Sequence, residues 1–482
     1  MKKDLRRILF VCIPFGIIYS LIAIVNHYHF RTYVYDLGIY NHALFDYAHF
    51  QMADCTVMQP RFDNMFSDHL TLLQPLWGPF YWIFDTYTLL IIQILGIIAG
   101  GIGIYFLLKQ RYANTNFALI GMIHFLSMWG IFSALGFDYH DNVLAAMLVP
   151  WFFLFLEKEK AWIASLFFIL ICISKENMAF WALFIAIGAI LIYHKNKKLR
   201  IMLASAIVFA TVYFFVAVNV IIPHLSNAGR GYIHFHYQSL GNNFTEAFHT
   251  MITRPWYCFK ILFINHLNEP LGDYNKFDTH LMVLLSGGIA LLFKPKYLLM
   301  LIPIYAQKMF SNDIGKWGVS VQYSIEFVPI LTIALFDWID NYYSNEKKVR
   351  IALIFTLICS LATKVIIDNR HAIWYVKDQV VFYEKSHYIN SFNAGKVHDA
   401  LKLIPPDAQV SAKNTLVPHL AFRDSIYLFP FIGNAEYIVL LNDGNNYPLR
   451  EDDYNKKVGE LLKSPDWETR FNQDEVLIFK RK

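Results

Sequence analysis

Long apolar runs recur along the chain, beginning near Ile8, Leu70, Thr88, Phe117, Val143, Ala161, Met178, Ile201, Leu281, Tyr297, Ser324 and Ile351. Most approach the ~20 residues that an α-helix needs to cross a hydrocarbon core. If every run crossed, the basic loops would fall on both faces of the membrane. One run is different. The stretch at 69–84, HLTLLQPLWGPFYWIF, is short, aromatic and interrupted by Pro75 and Pro79. Such a segment suits the membrane surface better than the interior, so 70–84 is predicted to be an interfacial helix. The other eleven runs then place every strongly basic loop on one face. These are KKDLRR at 2–7, Lys109 with Arg111, EKEK at 157–160, KNKKLR at 195–200, KPK at 294–296 and NEKKVR at 345–350. Basic loops face the cytoplasm. The N-terminus is therefore expected inside, and its first apolar run reads as an uncleaved span. That run is too long for a signal peptide, and NHYHF offers no small-residue cleavage site.

The opposite face receives different material. It takes a first loop from about 28 to 86, GFDYHDN at 136–142, SKEN at 174–177, a long loop from about 223 to 280, and SNDIGKWGVS at 311–320. The tail joins it. Residues 370–482 alternate helical and strand patterns, with AEYIVLLND as a buried strand and a final helix followed by a closing strand. The predicted fold is a polytopic α-helical membrane protein with about eleven spans over 1–369. Two interfacial helices in the first loop and a small α/β domain over 370–482 complete it. No internal repeat is visible, which argues against a secondary transporter.

Composition agrees with this. Charged residues make up 16% of the 482-residue chain, against about 25% in soluble proteins. The net charge of +5 is spent in membrane-flanking loops, which leaves no separate basic face for nucleic acid. Of five cysteines, Cys12, Cys172 and Cys359 lie in apolar runs. Cys55 and Cys258 lie in loops of the same face, where a disulfide between them is open.

Acids gather on that face: Asp36, Asp63, Asp68, Asp138, Asp141 and Glu176. Carboxylates at a membrane boundary are costly unless they line a wet cavity, and they are commonly functional. Each also has a structural reading. Asp36 precedes Leu37, Tyr40, Leu44 and Tyr47 at three- and four-residue steps, so it can cap an amphipathic helix lying on the bilayer. Asp68 with His69 can cap the next helix, or act as an acid orienting an imidazole. Asp138, His140 and Asp141 fall within four residues, a set that suits Mn, Mg or Zn without diagnostic spacing. Lys175 and Glu176 interrupt an apolar run. They form either an ion pair or, for Lys175, a phosphate contact against the positive-inside trend. Arg61, Arg230 and Arg254 are further cations of that face. Among His224, His234, His236, His249 and His266, the H-x-H at 234–236 puts two rings on one side of a strand, a weak metal signal alone.

Taken together, YDLGIYNHALFDYAHF, FSDHLTLLQPLWGPFYWIF, GFDYHDN, SKEN and HLAFRDSIYLFP resemble a family of predicted bacterial membrane proteins, domain of unknown function 2079, over most of the chain. That family is in turn similar to the C-type (GT-C) glycosyltransferases. The resemblance implies a large first loop with two interfacial helices and a catalytic acid near the first span, the position held by Asp36. It implies a second acid at 138 or 141. It also implies a His-Tyr pair near 322, where this chain has Gln322 and Tyr323. The implied activity is inverting sugar transfer from a polyprenyl-phosphate donor to an envelope glycan, lipid or protein. It would occur on the outer side of the cytoplasmic membrane, with Asp36 as base and Lys175, with Arg61, on the phosphate. Asp68, His69, Asp138 and His140 would hold sugar hydroxyls or a divalent cation. A lipid flippase, or a non-catalytic binder of lipid-linked sugar, would use the same scaffold. Exchange of Asp36 for Asn separates the three.

Overall fold

The computed structural model describes residues 2–58, 63–227, 229, 231–369 and 374–482. Among them, four helical stretches are long and apolar enough to cross a membrane: Lys3–Tyr28, Gln74–Tyr112, Lys197–Leu225 and Asn345–Asn369. The pair Thr115–Leu126 and Trp129–Leu135, bent by 43°, makes a fifth if it is one crossing. Shorter apolar helices, among them Ala161–Ser174 and Glu176–Ile192, pack between these. Their side chains merge into one core, with Trp129, Trp181, Phe152 and Phe153 fully enclosed.

The loops sort to two ends of this bundle. At one end, Lys109 meets Asp4 at 2.8 Å and Arg111 meets Glu157 at 2.5 Å. Lys294 reaches Asp337 at 3.1 Å and Lys348 reaches Asp340 at 2.7 Å. The cations come from the basic segments singled out in the sequence, and Asp337 and Asp340 from the helix Phe327–Tyr342 that packs among them. The other end carries the first loop and a small C-terminal sheet domain.

The sheet runs, in strand order, Ile426–Leu428, Val410–Ala412, Tyr437–Leu441, Val476–Arg481, Trp467–Gln473. The first three strands are parallel and the last two form an antiparallel hairpin. The sequence suggested only one closing strand. Trp467–Gln473 escapes because it is an edge strand with largely exposed, polar side chains. The central strand reads as a continuous apolar run because both faces are covered. Tyr437, Val439 and Leu441 pack toward the first loop, while Ile438 and Leu440 pack with Tyr454 and Leu461 of the helix Glu451–Lys463.

This packing corrects one expectation. The helix Ile39–Ala48 does not lie on a lipid surface. Leu37, Tyr40 and Leu44 are buried in a shared core with Val397, Val417 and Val439 of the sheet domain. An amphipathic pattern states that one face is covered without saying by what. The second predicted helix differs again. Gln74–Phe80 is 3-10, Tyr81–Phe84 is one α turn, and Asp85 breaks the backbone at φ +52 before Thr88–Tyr112 begins. Leu76, Trp82 and Ile83 are exposed along it. Arg31 fastens the end of the first helix to the polypeptide after Asn369, donating to the carbonyls of Asp378, His387 and Ile389. All five cysteines are free, so the Cys55–Cys258 disulfide is absent.

Candidate functional site

At the sheet-bearing end lies a polar cavity of about 390 Å³. Its walls come from segments far apart in sequence. The first loop contributes Tyr35, Asp36, Tyr40, Asp68 and His69, the helix junctions contribute His140 and Lys175, and the later loops contribute His234, His236, Lys316, Gln322 and Tyr323.

Asp36 sits inside a π-helical turn, Val34–Gly38, and not at a helix cap. The capping role is therefore excluded, and its side chain is free to face the cavity. Two outside carbonyl-type acceptors shape the turn. Asp138 Oδ2 accepts from the backbone N–H of Tyr33 at 2.8 Å and of Leu37 at 3.3 Å. Asn414 Oδ1, from the sheet domain, accepts from Val34 N–H at 3.0 Å. Gly38 lets the domain approach, since a Cβ there would lie 3.1 Å from Val417. Asp36 Oδ1 then meets His140 Nε2 at 3.1 Å. His140 is itself placed by Gln93, which accepts its backbone N–H at 2.9 Å and donates to the Asp138 carbonyl at 2.8 Å. Burial pulls the His140 imidazole down from its usual pKa, with Asp36 working the other way. Burial, aided by Asp36, pushes the Asp138 carboxyl well up.

The cluster 138–141 thus divides its labour and does not gather around a cation. Asp138 holds backbone, His140 holds Asp36, and Asp141 accepts from the Tyr139 hydroxyl at 2.7 Å away from the cavity. The divalent-cation set proposed for Asp138, His140 and Asp141 is not assembled. Among the described residues, the group whose ligand atoms converge is Asp68, His69 and His234, all within 4.8 Å of one another. Asp68 ends the short helix Met65–Asp68, and the cap position of the next helix, Gln74–Phe80, is Leu73, so the capping role expected of Asp68 is not found.

Lys175 occupies an extended joint, φ −160° and ψ 146°, between Ala161–Ser174 and Glu176–Ile192. It is 8% exposed, lines the cavity, and has no ion-pair or hydrogen-bond partner among the described residues. The expected Lys175–Glu176 ion pair does not form. Glu176 turns away and accepts from His69 Nδ1 and from the Leu70 N–H, each at 3.1 Å. Burial, with help from His234 and Lys175, pulls the His69 imidazole down to about 4.

Sequence reasoning missed Lys316. It lines the same cavity, with its ammonium 5.3 Å from the centre of the Tyr323 ring. Burial lowers its pKa and the nearby Lys175 adds to this, against Asp313. The signal that flagged Lys175, a lysine on the wrong side of the charge bias, also marks Lys316. Tyr35 and Tyr40 carried no such signal. Arg61 and Arg230 lie outside the described residues. Arg254 is exposed at the start of Pro255–Ile261 and does not line the cavity.

A family model described as predicted membrane protein, DUF2079, matches residues 26–478, and the chain belongs to that family. A search of curated proteins finds no match.

Proposed function

We propose that this chain is an inverting, GT-C-like membrane glycosyltransferase. It moves a sugar from a polyprenyl-phosphate donor to an envelope glycan, lipid or protein on the outer side of a bacterial cytoplasmic membrane. In this reading eleven helical passes cross the bilayer, and the sheet domain roofs the cavity from outside. The bent pair and the shorter helices count as passes. Ala161–Ser174 has 14 residues, about 21 Å at the α-helical rise. This is short of a hydrocarbon core of about 30 Å. The joint at Lys175 is therefore recessed, at a depth that a membrane-held phosphate can reach. The exposed Leu76, Trp82 and Ile83 suit a segment resting on the bilayer surface.

The chemistry follows from the cavity. The acceptor hydroxyl attacks the anomeric carbon of the sugar from the face opposite the phosphate. Asp36 takes the hydroxyl proton as the new C–O bond forms. The bond from the anomeric carbon to the phosphate oxygen breaks, and polyprenyl phosphate departs with the electron pair. Lys175, with Lys316, offsets the charge that develops on it. His140, hydrogen-bonded to Oδ1, leaves Oδ2 of Asp36 for the acceptor. Gln322 and Tyr323 supply polar contacts to the sugar.

The observation that carries this reading is Lys175, a buried cation without a partner in the same cavity as an oriented carboxylate. The Asp68 and Glu176 carboxylates feel Lys175 from beyond ion-pair distance, so its ammonium keeps its direct contacts open to an anionic ligand. The test uses purified protein in lipid vesicles with a panel of polyprenyl-phosphate sugars. Asp36→Asn should lower turnover by about 10²–10⁴-fold and keep carrier binding within threefold. Turnover or lipid translocation unchanged by that substitution would overturn the assignment.

A further inference from the structure

We propose that Asp68, His69 and His234 form a binding site for a divalent transition metal ion of the zinc or manganese class, with its open coordination face toward the cavity. Two loops about 165 residues apart in sequence supply the ligands. Asp68 and His69 leave the first loop at the end of Met65–Asp68, and His234 comes from 231–237, which belong to neither helix nor strand. Their imidazoles stack, with centroids 4.0 Å apart and planes 16° apart. This brings His234 Nε2 to 3.3 Å from Asp68 Oδ1 and 3.0 Å from the Asp68 carbonyl, to which it donates the proton that an ion would displace to Nδ1, and His69 Nε2 to 3.9 Å from Asp68 Oδ2. Ligand atoms about 2.0–2.2 Å from a tetrahedral zinc ion lie about 3.3 Å apart. The Asp68–His234 pair already has that spacing, and the remaining ligand atoms, all within 4.8 Å, close in to reach it.

The proton on His69 can be placed by elimination. The Glu176 carboxylate is buried and accepts from the Leu70 N–H and the Tyr232 hydroxyl. It faces His69 Nδ1 at 3.1 Å. A carboxylate can only accept here, so Nδ1 carries the proton. Nε2 is then unprotonated, and at 3.9 Å from Asp68 Oδ2 it is not hydrogen-bonded to that oxygen. Carboxylate, imidazole and an inward-facing ring nitrogen form the arrangement that orients histidines on metals. Two imidazoles and one carboxylate also match the donor set of three-ligand sites that keep a position for water or substrate.

Such an ion would lie beside Lys175 and give the cavity a second positive centre. The ion's contact with a phosphate or sugar oxygen rests on the glycosyltransferase reading, but its binding does not. The experiment separates them by measuring metal without any lipid substrate. Full-length protein is purified in detergent, stripped with a chelator, and titrated with zinc or manganese alone. We expect one equivalent per chain, a cobalt(II) derivative with visible d–d absorption, and a rise in melting temperature on adding metal. His234→Ala and Asp68→Asn should each weaken binding at least tenfold. Glu176→Gln, which keeps the hydrogen-bonding shape but not the charge, should weaken it 10–100-fold. If a variant is not monodisperse, the wild-type titration and the cobalt spectrum decide alone. Less than a tenth of an equivalent bound to wild type, or equal stoichiometry and affinity in all variants, would overturn the site. Metal binding with no sugar transfer would leave the site standing and remove the enzymatic reading.

Discussion

The two ends of the bundle treat positive charge in opposite ways. At the basic end every buried or half-buried cation described above has a carboxylate: Arg111 has Glu157, Lys294 has Asp337, and Lys348 has Asp340. Tyr193 links Arg111 to Glu157 again, accepting from the guanidinium at 2.9 Å and donating to the acid at 2.5 Å. At the cavity end, Lys175 stands without such a partner although Glu176 is its neighbour in sequence. Charges that serve the fold have their contacts filled within it, by carboxylates at the basic end and by backbone carbonyls at Arg31 and Arg423. A charge left open beside a cavity is available to something that arrives.

The strongest way to break this contrast is to remove one cation from each end. Arg111→Met leaves the Glu157 carboxylate half-satisfied in a packed setting, and removing one member of a buried pair costs about 3–5 kcal/mol. Lys175→Met removes a desolvated charge that makes no direct ion pair or hydrogen bond and only a longer-range attraction to Asp68 and Glu176, so it should cost far less than Arg111→Met. Thermal unfolding in one detergent measures both. Equal destabilisation by the two would mean that Lys175 is held by internal contacts after all. The same Lys175 variant should lose at least tenfold in affinity for polyprenyl phosphate, read by ligand retention on vesicles, whereas Arg111→Met should retain it once folded.

Next in size is Asp138→Ala. It strands the N–H groups of Tyr33 and Leu37, at about 1–3 kcal/mol for each group left buried and unpaired. The turn that aims Asp36 would relax. Turnover should fall while carrier affinity, set by Lys175, is retained. A drop in carrier affinity equal to the drop in turnover would place Asp138 on the ligand and remove its positioning role.

How far the sequence anticipated these regions follows the same divide. The basic end was legible because its signal is local: charges in short loops between apolar runs. Lys175 was legible for the same reason, as an interruption. Burial of Leu37 and Leu44 was legible as periodicity, but the covering partner was not, because lipid and Val417 impose the same pattern. His234 could not be joined to His69 from the sequence. Their meeting depends on how two long loops close over the bundle, and no spacing rule encodes it. Asp138 looked like a ligand because its type and position suited one. Only the backbone N–H groups that it accepts from reveal its use.

The smallest effect concerns the seam between the first loop and the sheet domain. His42, on Ile39–Ala48, is fully buried there, with Nδ1 3.2 Å from the Ala421 carbonyl and Nε2 3.2 Å from the Thr56 hydroxyl. Thr56 in turn donates to the Ile426 carbonyl at 2.7 Å. Burial pulls His42 down to about 4, the Ala421 carbonyl and Asp424 oppose this, and Arg423 reinforces it. The unfolded chain therefore binds this proton more readily, and stability is lost as pH falls from about 6.5 to about 4, by at most about 1.4 kcal/mol per pH unit. Asp46, on the same helix, has the opposite sign. Burial, with Asp424 and Asp54, pushes it up to about 7, so its contribution grows as pH falls from about 7 toward 3.8. Total stability thus mixes the two, and the histidine must be isolated by difference. His42→Gln keeps a polar side chain at the seam without the titration. Melting curves of wild type and variant should converge as pH drops from 6.5 to 4, because only the wild type loses the histidine's share. A gap that stays constant over that range would show that His42 is not held neutral at the seam, and that the domain is fastened elsewhere.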